Sequence, residues 1–155
     1  MLSMPESLRY RVRRLCATLE TGMVLLAACA VVRLRAERAV AIALRPAPDA
    51  ATAVPQALVR SQWVSVRRCH ARVHRGAEAL PGEVTCLPRA LALFWLLRRR
   101  GIPAALRVGV CKEEGALLAH AWVELHGIAV GEAGGVPGRY RAFPAVPAPR
   151  AEPAP

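Results

Sequence analysis

The chain has 155 residues, about the size of one domain, and its 54% hydrophobic content is enough to bury a core, which excludes a disordered chain. Its 22 basic residues, of which only Lys112 is a lysine, outnumber 11 acidic residues and give a formal charge of +11. This excess favours an anionic partner, such as nucleic acid, an acidic peptide or the cytoplasmic membrane face, without choosing among them.

The first predicted element is a helix over residues 6–44. Apolar residues recur at helical spacing from Leu8 through Val12, Leu15 and Leu19, and the proline-rich stretch that follows ends the helix. The most apolar part, residues 21–32, is about 12 residues long, whereas a membrane-spanning helix needs roughly 20. We therefore expect a buried or peripheral helix and no transmembrane segment.

Two further helices are predicted after an Ala/Pro linker at residues 45–55. The first covers residues 56–80 and ends at the turn signal Pro81-Gly82. The second covers residues 85–100, with an apolar stripe, three arginines in its last turn and Gly101 just beyond. Cys86 lies at the start of this last helix.

The period of the pattern then changes to two. Strands are predicted at residues 104–111, 117–125 and 128–132, with His126-Gly127 as a tight hairpin turn. That turn pairs residues whose numbers sum to about 253, so Glu132 lies opposite Ala121 and one step from His120. We expect a contact between the side chains of His120 and Glu132.

The order of elements predicts an α+β protein. We expect an N-terminal helical region at residues 1–50, a core at residues 51–144 and a disordered tail at residues 145–155. In the core, the Cys86 helix packs on a small antiparallel sheet.

Cys86 and His120 have the surroundings that nucleophilic catalysis requires. A cysteine in the first turn of a helix, with Thr85 as N-cap and Pro88 in the same turn, is placed where the helix dipole favours the thiolate. An imidazole can hold that thiolate as an ion pair, and a carboxylate can orient the ring. Glu132 is the first choice for this carboxylate and Glu124, on the strand face of His120, the second. The helix start also supplies one oxyanion donor, and the second is not identified.

Each of these residues has a simpler structural interpretation. A single cysteine at a helix start is commonly a small buried hydrophobe, a single histidine on an apolar strand is commonly hydrogen-bonded in the core, and Trp122 is more typical of core than of substrate contact. Only the combination of spacing, order and motif favours catalysis.

No metal or cofactor site is predicted. His70 and His74 have the i, i+4 spacing of some metal ligands, but no carboxylate accompanies them and arginines surround them. The five cysteines are odd in number, scattered and without a CxxC pair, which argues against a zinc site or a disulfide framework and favours a reducing, cytoplasmic compartment.

Two motifs carry a specific resemblance. They are Thr85-Cys86-Leu87-Pro88-Arg89-Ala90 and Ala119-His120-Ala121-Trp122-Val123-Glu124. With Gly101-Ile102-Pro103 and Arg107-Val108-Gly109-Val110 between them, they closely resemble the bacterial leader peptidases of lasso-peptide biosynthesis, in the transglutaminase-like superfamily. The resemblance covers residues 81–144.

The resemblance implies a transglutaminase/papain-like fold and a Cys-His-acid triad of Cys86, His120 and Glu132. It implies a cysteine peptidase that cuts between leader and core of a ribosomally made precursor peptide, before a separate ATP-dependent cyclase closes the macrolactam ring. A separate small leader-binding partner is expected, because the chain begins with helices and lacks the strands of a fused leader-binding module. The family usually has Asp where this chain has Glu132, one methylene longer.

Two other functions fit the sequence. The first is a non-enzymatic protein whose Arg-rich helices bind nucleic acid or the membrane surface, although no specific nucleic-acid motif is present and aromatic residues are only 5%. The second is a transglutaminase-like acyltransferase, since one acyl-enzyme can react with water or with an amine.

Overall fold

The computed structural model describes residues 6–43, 60–132 and 136–144. The helices are α1 (Glu6–Leu34), α2 (Ala36–Ala43), α3 (Arg60–Ala79), α4 (Cys86–Arg98) and the short α5 (Val136–Arg139). The strands are β1 (Ala105–Glu113), β2 (Ala116–Leu125), β3 (Ile128–Ala129) and β4 (Arg141–Ala142). The expected α+β class, with the Cys86 helix packed on a small antiparallel sheet, is confirmed.

The predicted N-terminal helix is two helices rather than one. α1 ends at Leu34, the chain turns at Arg35, and α2 then runs toward β1. The turn allows Ala39 and Ala43 of α2 to be buried in the core. Packing against the sheet, which the helical pattern alone does not encode, therefore sets this break.

α1 is anchored in the core along one face only. Thr21, Leu25 and Ala28, spaced by four and three residues, are buried where α1 packs on α3 and α4. Among the described residues, α1 is the one helix long and apolar enough to cross a membrane by length and composition. The apolar run at 21–32 is thus part of a helix of 29 residues, which has a face packed inside the protein.

α3 and α4 form the rest of the helical layer. α3 begins at Arg60, and the predicted residues 56–59 lie outside the described part of the chain. α4 buries most of its length, including Leu91, Leu96 and Leu97, between α1 and the sheet. Gly101, with a φ of +68°, ends this segment in the left-handed conformation that glycine adopts most readily.

The sheet has the order β3-β2-β1-β4, with antiparallel neighbours throughout. The predicted hairpin is confirmed: His126 and Gly127 have φ values of +49° and +79°, as in a type I′ turn. Its register is also confirmed, because Leu125 pairs with Ile128 and Glu124 with Ala129. The third strand is shorter than predicted, although the Val130 amide still donates to the Val123 carbonyl at 2.8 Å.

β4 has no counterpart in the sequence prediction. It pairs with β1 through only two residues, at Gly109–Ala142 and Val110–Arg141. So short a strand gives no readable periodicity, and β1 provides the pairing that defines it. The predicted linker at 45–55 and the predicted tail at 145–155 lie outside the described residues.

Candidate active site

A cavity of about 270 Å³ opens where the start of α4 meets α3, β2 and the segment after β3. Cys86, His120 and Glu132 all line it. The structure therefore places the three predicted site residues, which are up to 46 positions apart in the chain, in the lining of one cavity.

Cys86 is the first residue of α4 and a half-buried free thiol. Thr85 occupies the N-cap position in an extended conformation, with φ of −70° and ψ of 176°, but its side chain makes no capping hydrogen bond. The first N–H groups of a helix have no intrahelical partner, and here the N-cap side chain does not occupy one. The start of α4 is thus a suitable environment for a thiolate or for an oxyanion formed beside Cys86.

His120 and Glu132 are in direct contact. His120 Nε2 and Glu132 Oε1 are 3.1 Å apart, and both side chains are about a quarter exposed. The β2–β3 register and the turn at Gly131, where φ is +74°, bring Glu132 back to His120. Because Nε2 faces the carboxylate, Nδ1 is the ring nitrogen left for proton exchange with a thiol or a substrate.

Glu124, the second choice for the carboxylate, has other partners. Its Oε2 accepts from Arg107 Nε at 3.0 Å and its Oε1 accepts from Trp122 Nε1 at 2.9 Å. Both carboxylate oxygens are therefore used within the sheet. Glu132, and not Glu124, is the acid that contacts His120.

Two aromatic rings lie against His120. Trp122 is nearly parallel to it, with 14° between the planes and 6.1 Å between centroids, and the Tyr140 centroid is 5.2 Å away. Trp122 is 2% exposed, as expected of a core residue, and it also lines the cavity. Sequence reasoning missed Tyr140, whose only signal was an aromatic residue in a stretch of Gly, Pro and Ala.

Gly109 makes this aromatic packing possible. It lies opposite His120 in the β1–β2 ladder, and a Cβ there would lie 2.8 Å from both the Arg141 carbonyl oxygen and Trp122 Cη2. The missing side chain lets β4 and the indole approach β1.

Arg89 and His70 are cavity residues to which sequence reasoning gave no role in the site. Arg89 is one turn after Cys86, and its Nε is buried without a hydrogen-bond partner in the described part of the chain. Such an atom gains by contact with a carbonyl or carboxylate of a bound substrate. His70 lies on α3, and its ring centroid is 4.3 Å from that of His74. No group of three or more His, Cys, Asp or Glu that could hold a metal ion occurs within residues 6–43, 60–132 and 136–144.

A profile of the transglutaminase-like superfamily matches residues 22–146 of this chain, well over half of its length. The chain belongs to the transglutaminase-like superfamily. Members of this superfamily are typically cysteine-dependent enzymes, so membership supports a cysteine peptidase or acyltransferase type of function. No curated protein and no solved structure matches the chain.

The superfamily match also bears on the N-terminal helices. It begins at residue 22, inside α1, and runs past β4. Residues 22–34 of α1 and all of α2 therefore lie within the matched region, together with the sheet and the cavity.

Proposed function

We propose that this transglutaminase-like protein is a cysteine peptidase that removes the leader from a ribosomally synthesised lasso-peptide precursor. The observation that carries the proposal is the 3.1 Å contact between His120 Nε2 and Glu132 Oε1 in the cavity that Cys86 lines. The motifs around Cys86 and His120, which resemble those of lasso leader peptidases, supply the substrate class.

The chemistry follows from these positions. The Cys86 thiolate attacks the scissile carbonyl carbon, and the oxyanion that forms is met by N–H groups at the start of α4. His120, charged after taking the thiol proton, gives a proton to the leaving amine as the C–N bond breaks. Water activated by His120 then hydrolyses the Cys86 thioester and frees the leader carboxylate and the thiol. Glu132 stabilises the charged ring throughout.

The proposed cleavage also indicates which other proteins would act with the enzyme. The core peptide leaves with a free α-amine, which a separate ATP-dependent cyclase would join to a side-chain carboxylate. A separate small leader-binding protein would deliver the precursor, and the reaction would take place in the cytoplasm. No cofactor takes part in these steps.

The test is mass spectrometry of a cognate precursor incubated with its leader-binding partner and the enzyme. We expect one cut that Cys86→Ala abolishes and that Cys16→Ala, a change at an exposed cysteine outside the cavity, leaves intact. An added amine acceptor distinguishes transfer from hydrolysis, because the two products differ in mass. A cut that persists in Cys86→Ala would refute the proposal.

A matched pair of variants tests which carboxylate is the third member of the proposed triad. Glu132→Gln should lower kcat by roughly 10²- to 10⁴-fold, the usual range for losing part of an acid–base system, since the amide no longer stabilises charged His120. Glu124→Gln should have a small effect on kcat, because Glu124 is bound to Arg107 and Trp122 instead. The reverse order would assign the role to Glu124.

A second candidate function, association with an anionic membrane surface, is favoured by one observation on α1. Large apolar side chains at intervals of three or four residues are exposed along it: Leu8, Val12, Leu15, Leu19, Met23 and Leu26. Exposed arginines, among them Arg9 and Arg11, flank the first turns of this stripe. An apolar helix face bordered by arginine is typical of helices that lie in the interface of anionic bilayers.

Vesicle sedimentation separates this candidate from the first. Binding to phosphatidylglycerol vesicles that falls with added salt, is absent with phosphatidylcholine, and is lost in Leu15→Glu/Leu19→Glu would support it. Binding that is the same for both lipids, or unchanged in the variant, would contradict it. Cys86→Ala should leave vesicle binding unchanged in either case, because Cys86 lies on α4 and not on α1.

A further inference from the structure

The contact between α3 and the turn before Glu132 has no part in the chemistry described above. His70, on the cavity side of α3, points the tip of its imidazole at Gly131. A Cβ built on Gly131 would lie 2.0 Å from His70 Nε2 and 2.4 Å from each of the two adjoining ring carbons. The ring tip therefore occupies the space that any other residue at 131 would need for its side chain.

Gly131 is constrained a second time by its backbone. Its φ of +74° lies in the left-handed region that glycine adopts at little cost. This conformation turns the chain after β3 so that the next residue, Glu132, reaches His120. Glycine at 131 thus allows both the turn and the close approach of α3.

We propose that His70 is a positioning residue, whose ring tip against the Gly131 backbone holds the Gly131–Glu132 turn where the carboxylate meets His120. The inference rests on the proposed function, because it assigns His70 to the orientation of a catalytic carboxylate. A helix side chain fixes the loop because α3 is itself anchored in the core by Val66, Cys69, Val73 and Ala77. Without His70, the Gly131–Glu132 turn loses this support from α3.

The neutral form of His70 suits this role. Burial lowers its pKa, and the neighbouring His74 lowers it further, whereas Glu132 opposes these effects. A charged His70 would compete with His120 for the Glu132 carboxylate. The other charged or titratable side chains that line the same cavity are Glu83, Cys86 and Arg89.

The experiment measures alkylation of Cys86 by iodoacetamide as a function of pH, followed by peptide mapping, and needs no peptide substrate. A displaced carboxylate stabilises the His120 imidazolium less, so the thiolate–imidazolium pair forms only at higher pH. Glu132→Gln should move the half-maximal rate to higher pH. His70→Ala should move it in the same direction and at least half as far.

Further variants separate positioning from folding. His70→Gln, which can place a neutral nitrogen near the position of Nε2, should keep the wild-type profile, and so should Arg75→Ala on the exposed side of α3. If His70→Ala does not give a cooperative thermal transition, His70→Leu replaces it with an apolar side chain that preserves more volume. With a verified precursor, His70→Ala should lower kcat about ten- to a hundredfold and leave KM within about twofold.

The outcomes distinguish the two proposals. A wild-type profile in folded His70→Ala or His70→Leu, together with a shifted profile in Glu132→Gln, would overturn the positioning role and leave the peptidase proposal intact. A profile that neither Glu132→Gln nor His70→Ala changes, with no cleavage of the precursor, would overturn both.

Discussion

At the scale of single residues, Cys86 is distinguished from the other cysteines by the residues around it and not by high exposure to solvent. Cys16 is exposed, whereas Cys86 is half-buried and lines the same cavity as His120. Accessibility alone would make Cys16 the most reactive thiol. The proposed catalytic role of Cys86 predicts the reverse order.

Brief iodoacetamide labelling at neutral pH should modify Cys86 ahead of Cys16, Cys29, Cys69 and Cys111. Cys69 should react last in the native state, because it is 2% exposed and burial raises the pKa of its thiol, outweighing the opposite effect of Arg100 and Arg72. Peptide mapping of the labelled protein gives the order. Labelling that begins at Cys16, or that is uniform, would show that Cys86 is not activated.

His70 makes stability depend on pH in a definite direction. Its native pKa is below the ordinary value of 6.5, so between the two values the unfolded chain binds a proton that the native protein does not. The free energy of unfolding should therefore decrease as pH falls below about 6.5 and stop changing, as far as His70 is concerned, below its native pKa.

Urea denaturation between pH 7.5 and 5 measures this effect. The decrease should be smaller in His70→Gln, which has no titrating group at this position, and the difference between the two proteins removes the contribution of the other histidines. Equal slopes in the two proteins would contradict a lowered pKa for His70.

At the scale of elements, α1 has two faces with different consequences. Leu25 is fully buried against the neighbouring helices, while its neighbour Leu26 is 54% exposed. Substitutions at Leu25 and Leu26 test whether α1 unfolds together with the core or separately, as part of the predicted N-terminal region at residues 1–50.

Leu25→Ala should lower the free energy of unfolding by about 2–5 kcal/mol, the usual cost of such a cavity in a core. Leu26→Ala should change it by less than about 0.5 kcal/mol, as for most surface changes. Chemical denaturation followed by tryptophan fluorescence reports on the core, because Trp122 is buried in the sheet. A small effect of Leu25→Ala would indicate that α1 unfolds separately from the sheet.

At the scale of the whole molecule, the C-terminal segment completes the site that the middle of the chain begins. β4 pairs with β1, the Phe143 amide donates to the Val108 carbonyl at 2.9 Å, and Tyr140 lies against His120. The Tyr140 ring, which packs against the proposed base, thus comes from between α5 and β4, outside both α4 and the β2–β3 hairpin.

Two truncations test this role of the C-terminal segment. A chain ending at Pro144 should fold and keep its activity, whereas one ending at Arg139 loses β4 and Tyr140 and should have a lower kcat. Tyr140→Phe in the full chain should resemble wild type, because the ring contact remains. If the chain ending at Arg139 is as active as wild type, the C-terminal segment has no part in the site.

The sequence predicted the local and periodic features of this fold. Pro88 and the apolar stripe that follows indicate a helix beginning near Cys86, and Thr85 does occupy the N-cap position, although its side chain makes no capping hydrogen bond. The two-residue turn at His126-Gly127 fixes the register that brings Glu132 near His120. The motifs around Cys86 and His120 indicated the transglutaminase-like superfamily. Each of these signals lies within a few residues of the element it defines, which is why it could be read from the chain alone.

Tertiary structure decided what depends on residues distant in sequence. The break at Arg35 follows from the burial of Ala39 and Ala43, β4 exists because β1 offers an unpaired edge, and Glu132 is distinguished from Glu124 by the partners that Arg107 and Trp122 provide for the latter. His70 reaches the site from α3, Arg89 from α4 and Tyr140 from the residue between α5 and β4. Their roles depend on distances across the fold, and periodicity or spacing along the chain contains no information on those distances.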